Sequence, residues 1–370
     1  MSATAIHSAA DARRLAKRRL PWMVFDYIDG SAGNETGAAR NRTALDAYTL
    51  RPRILRDVSN RSLASTLFGE ATQRPFGIAP MGMCNLSAPH ADLMLARLAA
   101  KYQIPHGVST VASTPMERII EVAQGHAWFQ LYFSGDNSGS FKLVARAKAA
   151  GYQTLVVTVD VPEVGRRPRE LRHGFKMPFK IGPKQFVDFA LHPRWSLTSL
   201  AAGKPQMANF EMDGYDFDRT ESRARATWDT LAQLRDLWSG NLVVKGVLDV
   251  EDAVALKAAG VDAIQVSSHG ARQLESAPSP FATLPAMRAA LGPDYPILFD
   301  SGLRSGEDAL KALDAGANFV FFGRILQFAM AAGGEAGLHK LWEVLSDELS
   351  IAMAQTGLRD LDSAGKISNA

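Results

Sequence analysis

The sequence predicts an α/β fold, a (β/α)8 TIM barrel, and three observations lead to this prediction. Eight short apolar runs rich in β-branched and aromatic residues are spaced along the chain, each of a length suited to one strand. Stretches with helical periodicity separate most of these runs, which is typical of a parallel sheet covered by helices. Polar residues follow the runs, and eight such units in about 300 residues favour a closed barrel over an open sheet.

The predicted elements alternate in order along the chain. The predicted strands are Phe76–Ala79, His106–Ser109, Trp128–Tyr132, Leu155–Val159, Leu242–Lys245, Ala263–Val266, Ile297–Phe299 and Phe319–Phe322. The predicted helices are Ala91–Tyr102, Met116–Ala123, Phe141–Ala150, Arg225–Trp238, Asp252–Ala259, Ala282–Leu291 and Gly306–Ala315. A glycine suited to a helix C-cap follows four of them, at Gly151, Gly260, Gly292 and Gly316.

One connection is much longer than a βα loop requires. About 80 residues separate Asp160 from Leu242, and we interpret 168–215 as an insertion within a single domain, 1–370. Between Phe175 and Phe210 the insertion mixes aromatic and apolar residues with basic ones. This composition fits a lid packed on its own barrel, and it also fits a segment that contacts a membrane interface.

Composition and charge exclude several classes of protein. The 370 residues carry a net charge of only +3, which gives no reason to expect binding to nucleic acid. The single cysteine, Cys84, excludes an intramolecular disulfide and a cysteine cluster for metal, and it fits a reducing, cytoplasmic location. No secretory signal, transmembrane helix or metal site is expected.

Polar and ionisable residues collect behind the predicted strands, where the active sites of such barrels lie. In strand order they are Pro80-Met81-Gly82, Ser109-Thr110, Gln130 and Tyr132, Thr158 and Asp160, Lys245-Gly246, Ser267 to Arg272, Asp300 to Arg304, and Gly323-Arg324. Random placement would scatter these residues over both ends of the barrel. The carboxyl ends of the strands are therefore the predicted site.

The last two strands carry the elements of a phosphate site. Ser301-Gly302 and Gly323-Arg324 supply backbone N–H groups and cations for a dianion. Each sequence alone also fits an ordinary tight turn, but together, behind strands seven and eight, they predict a phosphorylated cofactor or substrate.

His269 is the candidate general base. A loop histidine is often structural, but Asp160 follows a nearby strand and would orient the imidazole and stabilise its charged form. Arg167 and Arg272 could pair with a carboxylate, or each could serve a surface or phosphate partner. Lys245 fits either a Schiff-base nucleophile, as in an aldolase, or a cation facing a cofactor that becomes anionic on reduction.

Four sequence blocks carry a resemblance to a known family. They are Ser267 to Leu274 (SSHGARQL), Leu20 to Tyr27 with the following Asn41-Arg42, Trp128 to Tyr132, and Leu242 to Gly246. From about Leu15 to Leu361 the chain resembles the FMN-dependent L-2-hydroxy-acid dehydrogenases and oxidases, and most closely their (S)-mandelate dehydrogenases. The resemblance implies FMN as cofactor, an N-terminal helical segment before the barrel, and oxidation of an (S)-2-hydroxy acid to the 2-oxo acid.

The resemblance also implies a role for each matched residue and disfavours the aldolase interpretation of Lys245. His269 would be the base, with Asp160 as its partner. The substrate residues would be Tyr27, Tyr132, Arg167, Arg272 and Val111. The flavin residues would be Ala79, Pro80, Met81, Gly82, Ser109, Gln130, Thr158, Lys245 and Ser267, and the ribityl and phosphate residues would be Asp300, Ser301, Gly302, Arg304, Gly323 and Arg324.

Three features favour a mandelate-like substrate and a quinone-type electron acceptor. The insertion resembles the membrane-binding segment of the mandelate dehydrogenases, which favours peripheral contact with the inner face of the plasma membrane. Val111 replaces a larger tryptophan, and Gly82 stands where oxidases often have alanine. An L-lactate dehydrogenase or an oxygen-using oxidase is the alternative. Ser268 departs from the usual asparagine before the histidine. The resemblance also implies a homo-oligomer, specifically a tetramer.

Overall fold

The computed structural model describes residues 5–175, 181–203, 207–210 and 223–361. Three helices come first: α1 (Ala9–Arg19), α2 (Trp22–Asp29) and α3 (Thr36–Ala47). A short antiparallel hairpin follows, β1 (Ser65–Leu67) and β2 (Glu70–Thr72). This arrangement agrees with the predicted N-terminal helical segment.

Eight parallel strands then close into a barrel, which confirms the predicted fold class. They are β3 (Phe76–Met81), β4 (His106–Ser109), β5 (Ala127–Leu131), β6 (Thr154–Thr158), β7 (Asn241–Val247), β8 (Ala263–Val266), β9 (Ile297–Phe299) and β10 (Phe319–Phe322). Neighbouring strands pair in chain order, and β10 closes the ring against β3. Every predicted strand is present, with ends shifted by at most a few residues.

Helices surround the barrel, and all seven predicted helices are among them. They are α4 (Ala91–Tyr102), α5 (Met116–Val122), α6 (Ser138–Ala149), α7 (Pro168–Arg172), α8 (Pro183–Leu191), α9 (Pro193–Ala202), α10 (Trp228–Leu237), α11 (Val250–Ala258), α12 (Pro280–Leu291), α13 (Gly306–Asp314) and α14 (Arg324–Gln355). The helix predicted from Arg225 begins at Trp228 instead, because the Thr227 side chain caps it by accepting the Thr230 N–H.

The two ends of the barrel differ in chemistry. At the amino end Phe68 of the hairpin packs against Trp128, with ring centroids 5.7 Å apart, and Leu67 joins the same buried apolar cluster. Interior residues of that cluster are Val156, Val243, Ala263, Leu298, Phe319 and Phe321. This end is therefore closed by apolar packing, which leaves the carboxyl ends of the strands as the polar, open end.

Buried or partly buried hydrogen bonds connect the insertion to helix α2 and to the loop that contains Leu86. The Asp188 carboxylate on α8 accepts the N–H groups of Trp22 and Met23 at 3.0 and 3.3 Å and so caps α2. The Trp195 indole on α9 donates to the Leu86 carbonyl oxygen at 2.8 Å. Residues 176–180, 204–206 and 211–215 of the predicted insertion lie outside the described residues.

The cap on α2 predicts a measurable effect on stability. Asp188→Ala would leave two N–H groups at the start of α2 without an acceptor, so we expect the free energy of unfolding to fall by about 1–2 kcal/mol. Chemical denaturation measures this change, with Asp188→Asn as the matched variant that keeps an acceptor oxygen. An alanine variant as stable as the wild type would contradict the role of the cap.

Candidate active site

His269 lies in a tight turn directly after β8 and is held there by hydrogen bonds. Its backbone has φ +56°, an uncommon value for a residue other than glycine, and its N–H donates to the Ser267 hydroxyl oxygen at 3.0 Å. Its Nδ1 lies 3.0 Å from Asp160 Oδ1, and its Nε2 lies 3.3 Å from the Tyr132 hydroxyl. The sequence prediction that pairs His269 with Asp160 is thus met in the geometry.

A glycine on the intervening strand makes this contact possible. Asp160 follows β6 and His269 follows β8, so the carboxylate must reach across β7. A Cβ atom at Gly246 of β7 would lie only 2.6 Å from the Asp160 Cβ, and Gly246 has φ +103°. Any side chain at position 246 would therefore displace Asp160.

Burial and charge shift the ionisation of both partners. Burial lowers the pKa of the His269 imidazole; Asp160 opposes this shift, and the net pKa lies below the usual histidine value. Burial raises the pKa of the Asp160 carboxyl, but His269 and Lys245 outweigh it, so the net pKa is lowered. The pair therefore combines a neutral imidazole with a carboxylate near neutral pH.

Two arginines converge beside this pair. Arg272 donates through NH1 to the carbonyl oxygens of Tyr27 and Gly30, at 2.8 and 2.7 Å, and its guanidinium carbon lies 5.2 Å from the centre of the Tyr27 ring. Arg167 and Arg272 both donate to one oxygen of Glu170, at 2.9 and 2.8 Å. The structure thus brings together the two arginines that the sequence singled out.

The Tyr27 ring contacts an aromatic ring and a guanidinium group. It stacks on Phe175 with centroids 4.3 Å apart and planes 6° from parallel, and the Arg272 guanidinium carbon lies 5.2 Å from its centre. Burial raises the pKa of the phenol, so its hydroxyl stays protonated and can donate a hydrogen bond. The insertion, which carries Phe175, therefore contributes directly to the wall of the site.

Lys245 on β7 belongs to a buried polar network rather than standing alone. Its ammonium donates to the Ser267 hydroxyl at 2.6 Å and lies 3.0 Å from an Asp300 carboxylate oxygen. Asp300 also accepts from the Gln265 amide and from the Ser301 hydroxyl, both at 2.6 Å. These contacts engage the Lys245 side-chain nitrogen with Ser267 and Asp300, whereas an aldolase requires a lysine amine that is free to attack its substrate.

The ends of β9 and β10 form a positively charged cradle. The Ser301 hydroxyl accepts the N–H groups of Ser268 and Gly270 and so ties this cradle to the turn that holds His269. Burial and the nearby Arg272 lower the pKa of Arg324 to about 10, and burial lowers that of Arg304. A dianion such as a phosphate would relieve the repulsion among these arginines.

A large cavity joins these parts. Its volume is about 1120 Å³, and many of the predicted site residues line it. They are Tyr27, Ala79, Pro80, Met81, Gly82, Val111, Tyr132, Arg167, Lys245, His269, Arg272, Asp300, Ser301, Gly302, Arg304, Gly323 and Arg324. The other predicted residues are not on this lining: Ser109, Gln130 and Ser267 are buried, Asp160 contacts His269, and the buried Thr158 lines a smaller cavity that also includes Tyr132.

Orphaned polar atoms test whether a flavin fits this cavity. Both polar atoms of the buried Gln130 side chain and the Thr158 hydroxyl make no hydrogen bond to any described residue. A buried donor or acceptor without a partner lowers the stability of the protein, and a bound ligand can supply the missing hydrogen bond. The polar edge of a flavin ring and a terminal phosphate match these donors and the arginine cradle. Within the described residues no cluster of three or more His, Cys, Asp or Glu could hold a metal.

Sequence reasoning missed some residues of the site. Glu170 bridges the arginines, and its position three residues after Arg167 was the only available signal. Ser268, where the family usually has asparagine, accepts the Asn41 amide N–H from α3 at 2.8 Å. This hydrogen bond gives the buried Ser268 hydroxyl a partner at the position where the family usually has asparagine.

The chain matches known proteins along almost its whole length. A family model described as FMN-dependent dehydrogenase matches residues 16–368. The (S)-mandelate dehydrogenase of Pseudomonas putida is 38% identical over 366 residues, covering 97% of this chain and 92% of that protein. An L-lactate dehydrogenase of Caulobacter vibrioides is 38% identical over 368 residues, covering 97% and 96%.

Solved structures give the same result. The structure of the monotopic membrane protein (S)-mandelate dehydrogenase matches with a TM-score of 0.91 at 37% identity, covering 97% of both chains. A mandelate oxidase variant with (S)-mandelic acid matches with a TM-score of 0.84 at 35% identity, also covering 97% of each chain. Family model, relatives, fold and site agree: the chain belongs to the FMN-dependent dehydrogenase family, is an FMN-dependent 2-hydroxy-acid dehydrogenase or oxidase, and uses FMN as its cofactor.

Proposed function

We propose that this enzyme oxidises a mandelate-like (S)-2-hydroxy acid to the 2-oxo acid and passes the electrons to a quinone-type acceptor. The observation that carries the proposal is the position of His269 on the cavity lining, with its Nδ1 3.0 Å from Asp160 Oδ1 and its Nε2 3.3 Å from the hydroxyl of Tyr132, which lines the same cavity. FMN, when bound, accepts the two electrons that leave the substrate's α-carbon.

The protein's own residues would hold the substrate and move one proton. Arg167 and Arg272 would bind the substrate carboxylate, and the hydroxyls of Tyr27 and Tyr132 would orient the substrate hydroxyl. His269 Nε2 would accept one proton from the substrate, and Asp160 would stabilise the resulting imidazolium. The lowered pKa of His269 supports this role, because the base is then neutral and ready near pH 7.

The flavin would lie along the strand ends between two sets of residues. Ala79, Pro80, Met81 and Gly82 of β3 and the following loop would supply backbone contacts. The ring would meet the side chains of Ser109, Gln130, Thr158, Lys245 and Ser267. Asp300, Ser301, Gly302, Arg304, Gly323 and Arg324 would hold the ribityl chain and phosphate. The unpaired polar atoms of Gln130 and Thr158 support this arrangement.

Small residues support a substituent larger than a methyl group. Val111 packs directly against Gly82, since a Cβ at Gly82 would lie 2.4 Å from Val111 Cγ2, and Val111 fills less of the cavity than a tryptophan would. Val161, Val164 and Met207 add an apolar wall to the same cavity. An aryl side chain suits that wall, and lactate is the second candidate substrate.

Anaerobic bleaching of the flavin absorption band tests substrate and base together. We expect (S)-mandelate to bleach the wild-type band faster than L-lactate does. His269→Gln should retain FMN but reduce the bleaching rate by about 10²–10⁴-fold, because the proton acceptor is lost.

His126→Gln is the matched control, since His126 precedes β5 at the opposite end of the barrel. Rapid bleaching of the His269→Gln variant would overturn the assignment of the base. Faster reduction of oxygen to peroxide than of a quinone analogue would favour the oxidase alternative.

We also propose that the insertion touches a membrane surface at the inner face of the plasma membrane. Helices α8 and α9, with Ile181 just before α8, expose a set of large apolar side chains, here called the α8–α9 patch: Ile181, Phe186, Val187, Leu191, Leu197 and Leu200. Trp22 is half exposed, and Lys184 and Arg194 are exposed basic residues on the same two helices. Apolar groups with basic neighbours suit an anionic interface.

Two properties bear on this membrane proposal. None of the helices in the described ranges is long and apolar enough to cross a membrane. Trp195 and Phe175 pack inward while the α8–α9 patch faces outward, so the segment combines the features of a lid and of a contact surface. The homo-oligomer, a tetramer by resemblance, remains a prediction.

Substitutions in the α8–α9 patch test the membrane contact. The double variant Phe186→Ser and Leu200→Ser should reduce binding to anionic vesicles at least roughly tenfold, since each change removes apolar area worth about 1.5–3 kcal/mol when buried. Leu55→Ser, at a fully exposed leucine elsewhere, is the control. Equal vesicle binding by all three proteins would refute the proposal.

A further inference from the structure

The substrate-binding arginines share a carboxylate that belongs to the protein itself. Glu170 Oε1 accepts from Arg167 at 2.9 Å and from Arg272 at 2.8 Å, and only 14–16% of each of the three side chains is exposed. The role of Glu170 inferred from these contacts depends on the proposed function, in which the two arginines hold the substrate carboxylate. We call the three residues the Glu170 clamp.

Glu170 pairs with one edge of Arg167, and another edge has no hydrogen-bond partner among the described residues. It accepts from the NH1 group of Arg167, whereas the buried Nε of Arg167 has no hydrogen-bond partner among the described residues. A buried N–H without an acceptor destabilises the protein, so this unpaired group favours an incoming carboxylate. A substrate carboxylate that accepts from this Nε would join the clamp without displacing Glu170, which accepts from NH1.

Glu170 is itself held in place by neighbouring charges. It lies on the short helix α7 directly after Arg169, which pairs with Asp26 and, at 3.0 Å, with Asp29 of α2. Since α2 also carries Tyr27, the same contacts align the helix with the substrate site. This anchoring limits how far the Glu170 carboxylate can retreat when an anion enters.

The charges of the clamp set what it can accept. Two guanidinium groups and one carboxylate give the clamp a net charge of +1. A substrate with one carboxylate brings that charge to zero, whereas a second carboxylate leaves excess negative charge in a mostly buried cluster. We propose that Glu170 is a specificity-determining residue that selects monocarboxylate over dicarboxylate 2-hydroxy acids.

Equilibrium titration of the FMN-loaded enzyme tests this proposal without turnover. The probes are phenylacetate and phenylmalonate, which differ by one carboxylate and are followed by the change in flavin absorption on binding. Glu170→Gln keeps an acceptor oxygen but removes the charge. We expect it to shift the ratio of the two dissociation constants toward phenylmalonate by roughly tenfold.

Two further variants make the result decisive. Arg167→Met lowers the clamp's charge and should shift the ratio the other way, toward phenylacetate, even if the glutamine variant fails to fold. Glu70→Gln removes an exposed carboxylate from the hairpin at the opposite end of the barrel and should leave the ratio unchanged.

A purely structural role for Glu170 predicts a different pattern. In that case Glu170→Gln would weaken both probes by the same factor, and an unchanged ratio overturns the proposal. The proposed oxidation can fail independently, because absence of flavin bleaching by every 2-hydroxy acid would refute it while the binding ratio still reports on the charge of the clamp.

Discussion

The contact between the Asp160 carboxylate and the His269 imidazole is the constraint on which the rest of the site depends. It joins residues from β6 and β8 across β7, and it requires the missing side chain of Gly246. A buried imidazole alone has a lowered pKa and an undefined orientation. The carboxylate fixes the tautomer that leaves Nε2 available, and it offsets the cost of charging the ring.

The other parts of the site follow from the placement of this pair. The turn that carries His269 is tied through Ser267 to Lys245 and through Ser301 to the phosphate cradle. One continuous set of hydrogen bonds therefore links the base to the proposed flavin and phosphate positions. The substrate side is closed separately by α2 and the insertion, through Tyr27 and Phe175.

Much of the fold and part of the site could be predicted from the sequence. Near-continuous apolar strands have few alternatives to a buried parallel sheet, so all eight strands were found. The sequence predicts that His269, Asp160, Arg167 and Arg272 lie together because the strand ends of a barrel converge, and the contacts of the structure agree with that placement, while their roles stay predictions. The hairpin β1–β2 and the long helix α14 were not predicted, because short polar strands and a helix continuing the last βα unit give weak local signals.

Contacts that depend on distant parts of the chain could not be predicted. The Lys245–Asp300 pair, the Asn41–Ser268 hydrogen bond and the Glu170 clamp each join side chains whose separation is set by the closed barrel or by the insertion. Residue type alone left Lys245 open to two roles. Its contacts with Ser267 and Asp300 add a structural argument against the nucleophile to the one from the family resemblance.

The pH dependence of flavin reduction in wild type and Asp160→Asn tests the central claim most directly. Asp160 raises the pKa of His269 against the effect of burial, so its loss should lower that pKa further. Because the neutral imidazole is the base, the acidic limb of the rate profile should move to lower pH in the variant. The plateau rate should also fall, since the imidazolium loses its partner. A limb at the same pH in both proteins would contradict the account.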